Sequence, residues 1–191
     1  MKRIFPLFIL LTFSIAGLCQ GVFTNDVNLA LQKVIQDYPN HFINIKGAPL
    51  TGSQQGFQFH SRVEVPGTLN CRVTLYNAEK KEMYGWTCVV LESGKFGDAK
   101  NKFTELYNQI RNTIVKIEGE KPFILTGNYE TPTDEKKFTT IIFQLLPATG
   151  NMQKLKVELT LQHTINDWKL TLSVYDQERK SDEQLDLTDR Y

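Results

Sequence analysis

The apolar pattern of the first half of this chain recurs in the second half. When Val27 is aligned with Ala99, a series of apolar residues at helical spacing coincides. When Cys71 is aligned with Val157, a series of alternating apolar residues coincides as well. Such a recurrence is typical of one supersecondary unit used twice. We therefore expect a tandem arrangement of two similar units within a single domain over residues 20–176.

Each unit is predicted to contain one helix followed by three strands. Apolar residues at helical spacing predict helices over residues 26–45 and 98–117, and Pro39 is expected to end or kink the first helix near Tyr38. Hairpin-length connections between the strands indicate antiparallel pairing. The predicted fold class is α+β: two tandem helix-plus-three-strand units, about 24–95 and 96–176, form an antiparallel sheet covered on one face by two helices. Period-two alternation places the strands at 57–65, 69–76, 84–91, 138–146, 155–164 and 168–175.

Two segments have less certain assignments. Residues 47–56 contain Pro49 and Gly52, which favours a loop. Residues 123–129 are compatible with an extra strand or with an extended connection.

Residues 1–19 have the form of a secretory signal peptide. Lys2 and Arg3 precede an apolar run, and small residues precede a cleavage site at Gln20. The run is shorter than the roughly 20 apolar residues of a membrane-spanning helix. We expect an exported protein, periplasmic or secreted, with no transmembrane segment in the mature chain. Lipid attachment at Cys19 is the alternative.

The charge balance disfavours nucleic acid as a partner. The chain has 22 Lys and Arg against 21 Asp and Glu, and removal of Lys2 and Arg3 with the signal leaves 20 against 21. Binding to nucleic acid or to an anionic membrane needs a basic excess or patch. Residues 177–191 are rich in charge and poor in apolar groups, so we expect them to form a tail outside the core.

Cys71 and Cys88 are predicted to form a cross-strand disulfide on the buried face of a hairpin. If they are directly opposed, Val73 lies opposite Trp86 and one hairpin face is apolar throughout. Opposed residues at a non-hydrogen-bonded pair have Cα atoms about 4.5 Å apart, which a disulfide can bridge. An even cysteine count in an exported chain favours the same interpretation. Two free, buried thiols are the alternative.

No motif for catalysis, metal binding or cofactor binding is evident. The three histidines, His41, His60 and His163, lack metal-ligand spacing. The sequence contains no nucleophile elbow, phosphate-binding loop or dinucleotide fingerprint. We expect no catalytic residue, cofactor or metal, although two carboxylates distant in sequence can still form a hydrolase site.

The sheet face away from the helices is the candidate binding face. Its alternative is an ordinary solvated face. The strand over 138–146 breaks the alternation, because comparison with the first unit turns Ile141, Phe143 and Leu145 outward unless a bulge or a second cover intervenes. Tyr and Arg are favoured at binding hot spots. The candidate residues are His60, Arg62, Arg72, Tyr76, Ile141, Phe143 and Tyr175.

Two resemblances accompany these observations. The signal, with Gln20 first after cleavage, resembles those of small secreted proteins of Bacteroidota. The element order resembles that of tandem-repeat inhibitory proteins such as β-lactamase inhibitory protein, whose concave sheet grips an enzyme. This resemblance implies a non-catalytic exported protein that engages a protein or peptide through its open sheet face. The alternatives are a small-ligand carrier or hydrolase with a cleft between the units, and a structural component of the envelope.

Overall fold

The computed structural model describes residues 26–50, 57–78, 81–147 and 149–177. Within these ranges the chain forms two α-helices, nine strands and two short 3-10 turns. The helices are α1 (Asp26–Asp37) and α2 (Phe96–Ile110), and the 3-10 turns span Tyr38–Asn40 and Gly150–Gln153. The strands are β1 (Lys46–Leu50), β2 (Phe57–Ser61), β3 (Asn70–Ala78), β4 (Lys81–Ser93), β5 (Ile114–Val115), β6 (Phe123–Thr126), β7 (Phe138–Leu146), β8 (Leu155–His163) and β9 (Trp168–Asp176).

All the strands described belong to one antiparallel sheet with the order β1-β2-β3-β4-β9-β8-β7-β6-β5. The first and second halves of the chain meet where β4 pairs with β9. The predicted α+β class and antiparallel sheet are confirmed. β6 is the extra strand that residues 123–129 allowed, whereas β1 and β5 are strands that the sequence analysis did not predict.

The ends of several elements differ from the sequence prediction for local reasons. α1 ends at Asp37 because Pro39 follows and cannot continue the helical hydrogen bonding. α2 ends at Ile110 rather than near residue 117, since Asn112 adopts a left-handed φ of 64° and donates its backbone N–H to the Leu125 carbonyl. β1 occupies part of the segment predicted as a loop. It tolerates Pro49 because it lies at the edge of the sheet, where a missing N–H donor costs little.

The hydrophobic core lies between the helices and one face of the sheet. α2 packs across β4, β8 and β9, and α1 packs beside α2 and near β5. On the sheet side, Trp86 and Leu172 are fully buried. The helix residues that enter the core are Val27, Ala30, Leu31, Val34 and Ile35 from α1, and Ala99, Phe103, Leu106, Tyr107 and Ile110 from α2.

The predicted cysteine pair is confirmed. Cys71 on β3 lies directly opposite Cys88 on β4, with a Cα–Cα distance of 4.1 Å, and the two form a disulfide. Both side chains are buried in the core. Structural disulfides are typical of oxidising, exported compartments.

The predicted signal peptide and Cys19 lie outside the described residues, as does the tail from residue 178 onward. In the described part of the chain, no helix is both long enough and apolar enough to cross a membrane.

Candidate functional site: the open face of the sheet

The open face is the sheet face opposite the one that carries Trp86 and the helices. Cross-strand pairing places one row of its side chains in line across five strands. Within this row His60 is directly opposite Arg72, so these two candidate residues are neighbours. The row consists of His60, Arg72, Thr87, Ser173 and Glu158.

The other polar candidates are less accessible or lie off the sheet. Tyr175 belongs to the open face but is only 5% exposed, and its hydroxyl donates to Glu158 Oε2 at 2.5 Å. Tyr76 is half-buried opposite Met83. Arg62 is exposed just beyond the end of β2, where its backbone N–H bonds to the Ile45 carbonyl. The sequence candidates therefore do not form one accessible cluster.

Ile141, Phe143 and Leu145, for which the sequence allowed an outward orientation, a bulge or a second cover, do not lie on the open face. All three side chains point into the core and are at most 1% exposed. The cause is the register of β7, which sets Ile141 opposite Leu159 and Phe143 opposite Val157 on β8 with no bulge between them. Ile141 and Phe143 are therefore core residues and not part of a binding face.

Local packing explains why Phe143 turns inward. Its ring lies against Gly127, where an added Cβ would approach the ring to 2.8 Å. The Tyr107 ring lies 5.8 Å from it, and the Tyr107 hydroxyl donates to the Gly127 carbonyl. A larger residue at position 127 would push Phe143 out of this space. The inward orientation of β7 is thus fixed by a close fit between α2, the segment after β6, and β7.

The inward turn of Phe143 exposes the alternate residues of β7. Phe138, Ile142 and Leu146 lie on the open face and are 65%, 36% and 47% exposed. Leu146 is directly opposite Ile124 on β6, which is directly opposite Ile114 on β5. We call these five residues the apolar strip: Ile114, Ile124, Phe138, Ile142 and Leu146.

The polar groups beside the apolar strip are bonded to one another. The Thr140 and Thr160 hydroxyls are 3.0 Å apart, and Thr160 Oγ1 donates to Glu158 Oε1 at 3.0 Å. Together with the Tyr175 bond to Glu158, these contacts form a continuous network across β7, β8 and β9. Such a network holds its side chains in fixed positions. The apolar strip is therefore bordered by ordered polar groups.

The buried and exposed isoleucines at adjacent positions of β7 provide a direct test of this orientation. Ile141→Ala is expected to lower the free energy of unfolding by about 2–4 kcal/mol, because it opens a cavity in the core. Ile142→Ala is expected to change it by less than about 1 kcal/mol, since Ile142 is partly exposed. Urea unfolding of the two variants measures both values. Equal losses, or the reverse order, would contradict the assigned faces.

Two of the candidate histidines pack against aromatic rings. The His41 ring packs at 5.6 Å from Tyr84, and the His163 ring at 4.7 Å from Trp168. Among the residues that the structure describes, no group of three or more His, Cys, Asp or Glu is placed to hold a metal ion.

Neither a known family model, nor a curated protein, nor a solved structure matches this chain.

Proposed function

We propose that this protein is an exported, non-catalytic binding protein that engages a partner protein through the apolar strip. The observation that carries the proposal is the exposure of five large apolar side chains on one face of three neighbouring strands. Exposed apolar side chains that gather on one face of a protein mark interaction sites, and Ile114, Ile124 and Leu146 are directly opposed on adjacent strands. The hydroxyl and carboxylate network of β8 and β9 supplies a polar border.

The partner docks on the face of the sheet and not along its edge. Strand addition requires a free edge of several residues with unpaired backbone groups. At one edge β1 contains Pro49, and at the other β5 has only two residues. Neither of these two end strands is a good template, whereas the apolar strip offers side chains that a partner can cover. Phe138, the most exposed of them, is the expected anchor.

Export and a two-unit origin are part of the same proposal. The disulfide and the predicted signal peptide support export.

The two-unit origin is supported by the register of β4 against β9. Thr87 and Ser173 are 86 positions apart, directly opposed, and bonded through their hydroxyls at 3.1 Å. In the sequence alignment that matches Cys71 with Val157, Thr87 is likewise matched with Ser173. Two related units that pair about a local two-fold axis would place equivalent residues opposite each other in this way.

The test is capture of partners by the immobilised mature protein, residues 20–191, from envelope and secreted fractions of the source cells. The double variant Ile124→Ser/Ile142→Ser is expected to reduce capture of a specific partner at least tenfold, because each truncated contact residue costs about 1–2 kcal/mol. Ile165→Ser is the matched control, since Ile165 is 95% exposed but lies outside the apolar strip.

The variants distinguish the outcomes of this experiment. A stoichiometric partner that the control retains and the double variant loses supports docking on the apolar strip. Equal capture by all three proteins places the contact elsewhere. If crosslinked samples contain no specific partner at all, the proposed function is wrong for partners made by the same cells.

A further inference from the structure

A cavity of about 180 Å³ opens where the two halves of the chain meet. The first half contributes the turn after α1 and the start of β4. The second half contributes the 3-10 turn before β8 and the end of β9. An engineered protein cavity of about 150 Å³ is large enough to bind benzene. This cavity therefore has the size of a single-ring ligand. It is separate from the apolar strip, with which it shares no residue.

The floor of the cavity is apolar and one wall is aromatic. Met83 lines the floor, and Phe42, which is fully buried, lies behind the accessible surface. Tyr38 packs against Phe42 with ring centroids 6.1 Å apart, and His41 packs against Tyr84 at 5.6 Å. Aromatic side chains offer large contact areas at low cost in conformational entropy. A ligand ring with an apolar face can lie against this wall.

The rim of the cavity supplies both hydrogen-bond donors and acceptors. Asp176 provides a carboxylate, whose Oδ2 accepts a bond from the Tyr38 hydroxyl at 2.8 Å. Lys154 and Asn151 also line the cavity, and their side chains carry an ammonium group and an amide that both donates and accepts. Because the rim carries one positive and one negative side chain, it has no net preference for an ion. A neutral ligand with several hydroxyl groups matches such a rim.

The aromatic wall is held in place before any ligand binds. His41 and Phe42 have φ angles of 54° and 57°, and the left-handed region is rare for residues other than glycine. The buried carboxylate of Asp37 fixes the segment that follows by accepting the backbone N–H groups of Asn44 and Ile45 at 2.9 and 3.1 Å. Backbone strain of this kind clusters at ligand-binding sites. A preformed wall lowers the entropic cost of binding.

From the size, the aromatic wall and the balanced rim, we infer that this cavity binds a single neutral polyhydroxylated ring, such as one pyranose sugar residue. The C–H face of a pyranose lies against Tyr84 and His41, and its hydroxyls bond to Asp176 and Asn151. The inference does not depend on the proposed function, because the cavity and the apolar strip are different surfaces.

The test is an NMR titration of the ¹⁵N-labelled mature chain with the methyl glycosides of glucose, galactose and N-acetylglucosamine. At least one is expected to give saturable shifts at the amides of Tyr84 and Asn151 at millimolar concentration or below. Tyr84→Ala and Asp176→Asn are expected to weaken that binding at least tenfold. Tyr129→Ala is the control, since Tyr129 is a partly exposed tyrosine remote from the cavity. Amide dispersion verifies that each variant is folded.

Several results would overturn the inference. No saturable shift with any of the three glycosides means that the cavity does not bind sugar rings. Saturable binding of benzoate or choline at the same amides, without sugar binding, means that the cavity selects ions. Sugar binding that both cavity variants retain places the site elsewhere. The Ile124→Ser/Ile142→Ser variant separates the two proposals, because it is expected to lose partner capture and to keep sugar binding.

Discussion

Trp86→Ala is expected to lower the free energy of unfolding by about 3–5 kcal/mol, a large part of the roughly 5–15 kcal/mol that stabilises a typical domain. Trp86 is the largest fully buried side chain of the core. It lies on β4 between Val73 and Val174, at the centre of the sheet. Its removal leaves a cavity bordered by three strands, which paired backbones cannot easily close.

The indole N–H makes a second, separable contribution. Trp86 Nε1 donates to Ser61 Oγ at 2.9 Å, and Ser61 in turn bonds to the backbone of Val63. Trp86→Phe keeps most of the ring volume and is expected to cost less than Trp86→Ala. Ser61→Ala leaves the buried N–H without this acceptor, at a cost of about 1–3 kcal/mol. Urea unfolding of the two single variants and of Trp86→Phe/Ser61→Ala gives the coupling. Additive losses would mean that the bond contributes little.

The hairpin registers could be predicted from the sequence because side-chain alternation constrains them strongly. A shift of one residue would move every apolar side chain of a strand to the opposite face. The predicted pairs Cys71–Cys88 and Val73–Trp86 are confirmed. The same alternation in the second hairpin predicts the pairs Val157–Val174, Leu159–Leu172 and Leu161–Leu170, and these are confirmed as well. In both hairpins this register pairs apolar residues with apolar residues along one face, so the pattern favours it over its neighbours.

The apolar strip could not be predicted because its residues resemble core residues. β7 has apolar residues at both parities, so alternation does not specify which side faces the helices. The choice depends on the space that Gly127 and Tyr107 leave for Phe143, and these residues are distant from it in sequence. Ile114 has the spacing of the α2 apolar face, but the helix ends before it and β5 turns it outward.

The cavity could not be predicted because no local sequence pattern indicates it. Tyr38, Tyr84 and Asp176 come from three distant segments that the sheet order brings together. The structure places His41 in the turn after α1. Its left-handed backbone and its contact with Tyr84 are tertiary features. The position of Pro39 could indicate a chain turn, but not what the turn faces.

Asp37→Ala is expected to lower the free energy of unfolding by about 3–5 kcal/mol, because hydrogen bonds to a charged group contribute about 1.5–3 kcal/mol each. The Asp37 carboxylate is buried and accepts bonds from the backbone N–H groups of Asn44 and Ile45 and from the side-chain amides of Asn40 and Asn44. Without it these donors lose their acceptor. The segment that contains the left-handed residues His41 and Phe42 also loses the side-chain bonds that close it.

Two further variants separate the hydrogen bonds from the strain. Asp37→Asn keeps one acceptor oxygen and is expected to lose less stability than Asp37→Ala. His41→Gly is expected to stabilise the protein by up to about 1 kcal/mol, since glycine adopts a left-handed φ without strain. Urea unfolding of the three variants measures both effects. If Asp37→Ala costs less than about 1 kcal/mol, the carboxylate does not hold the turn. If His41→Gly is strongly destabilising, the contact between the His41 and Tyr84 rings stabilises the protein by more than the backbone strain of His41 costs. The aromatic wall of the cavity would then contribute to the stability of the fold.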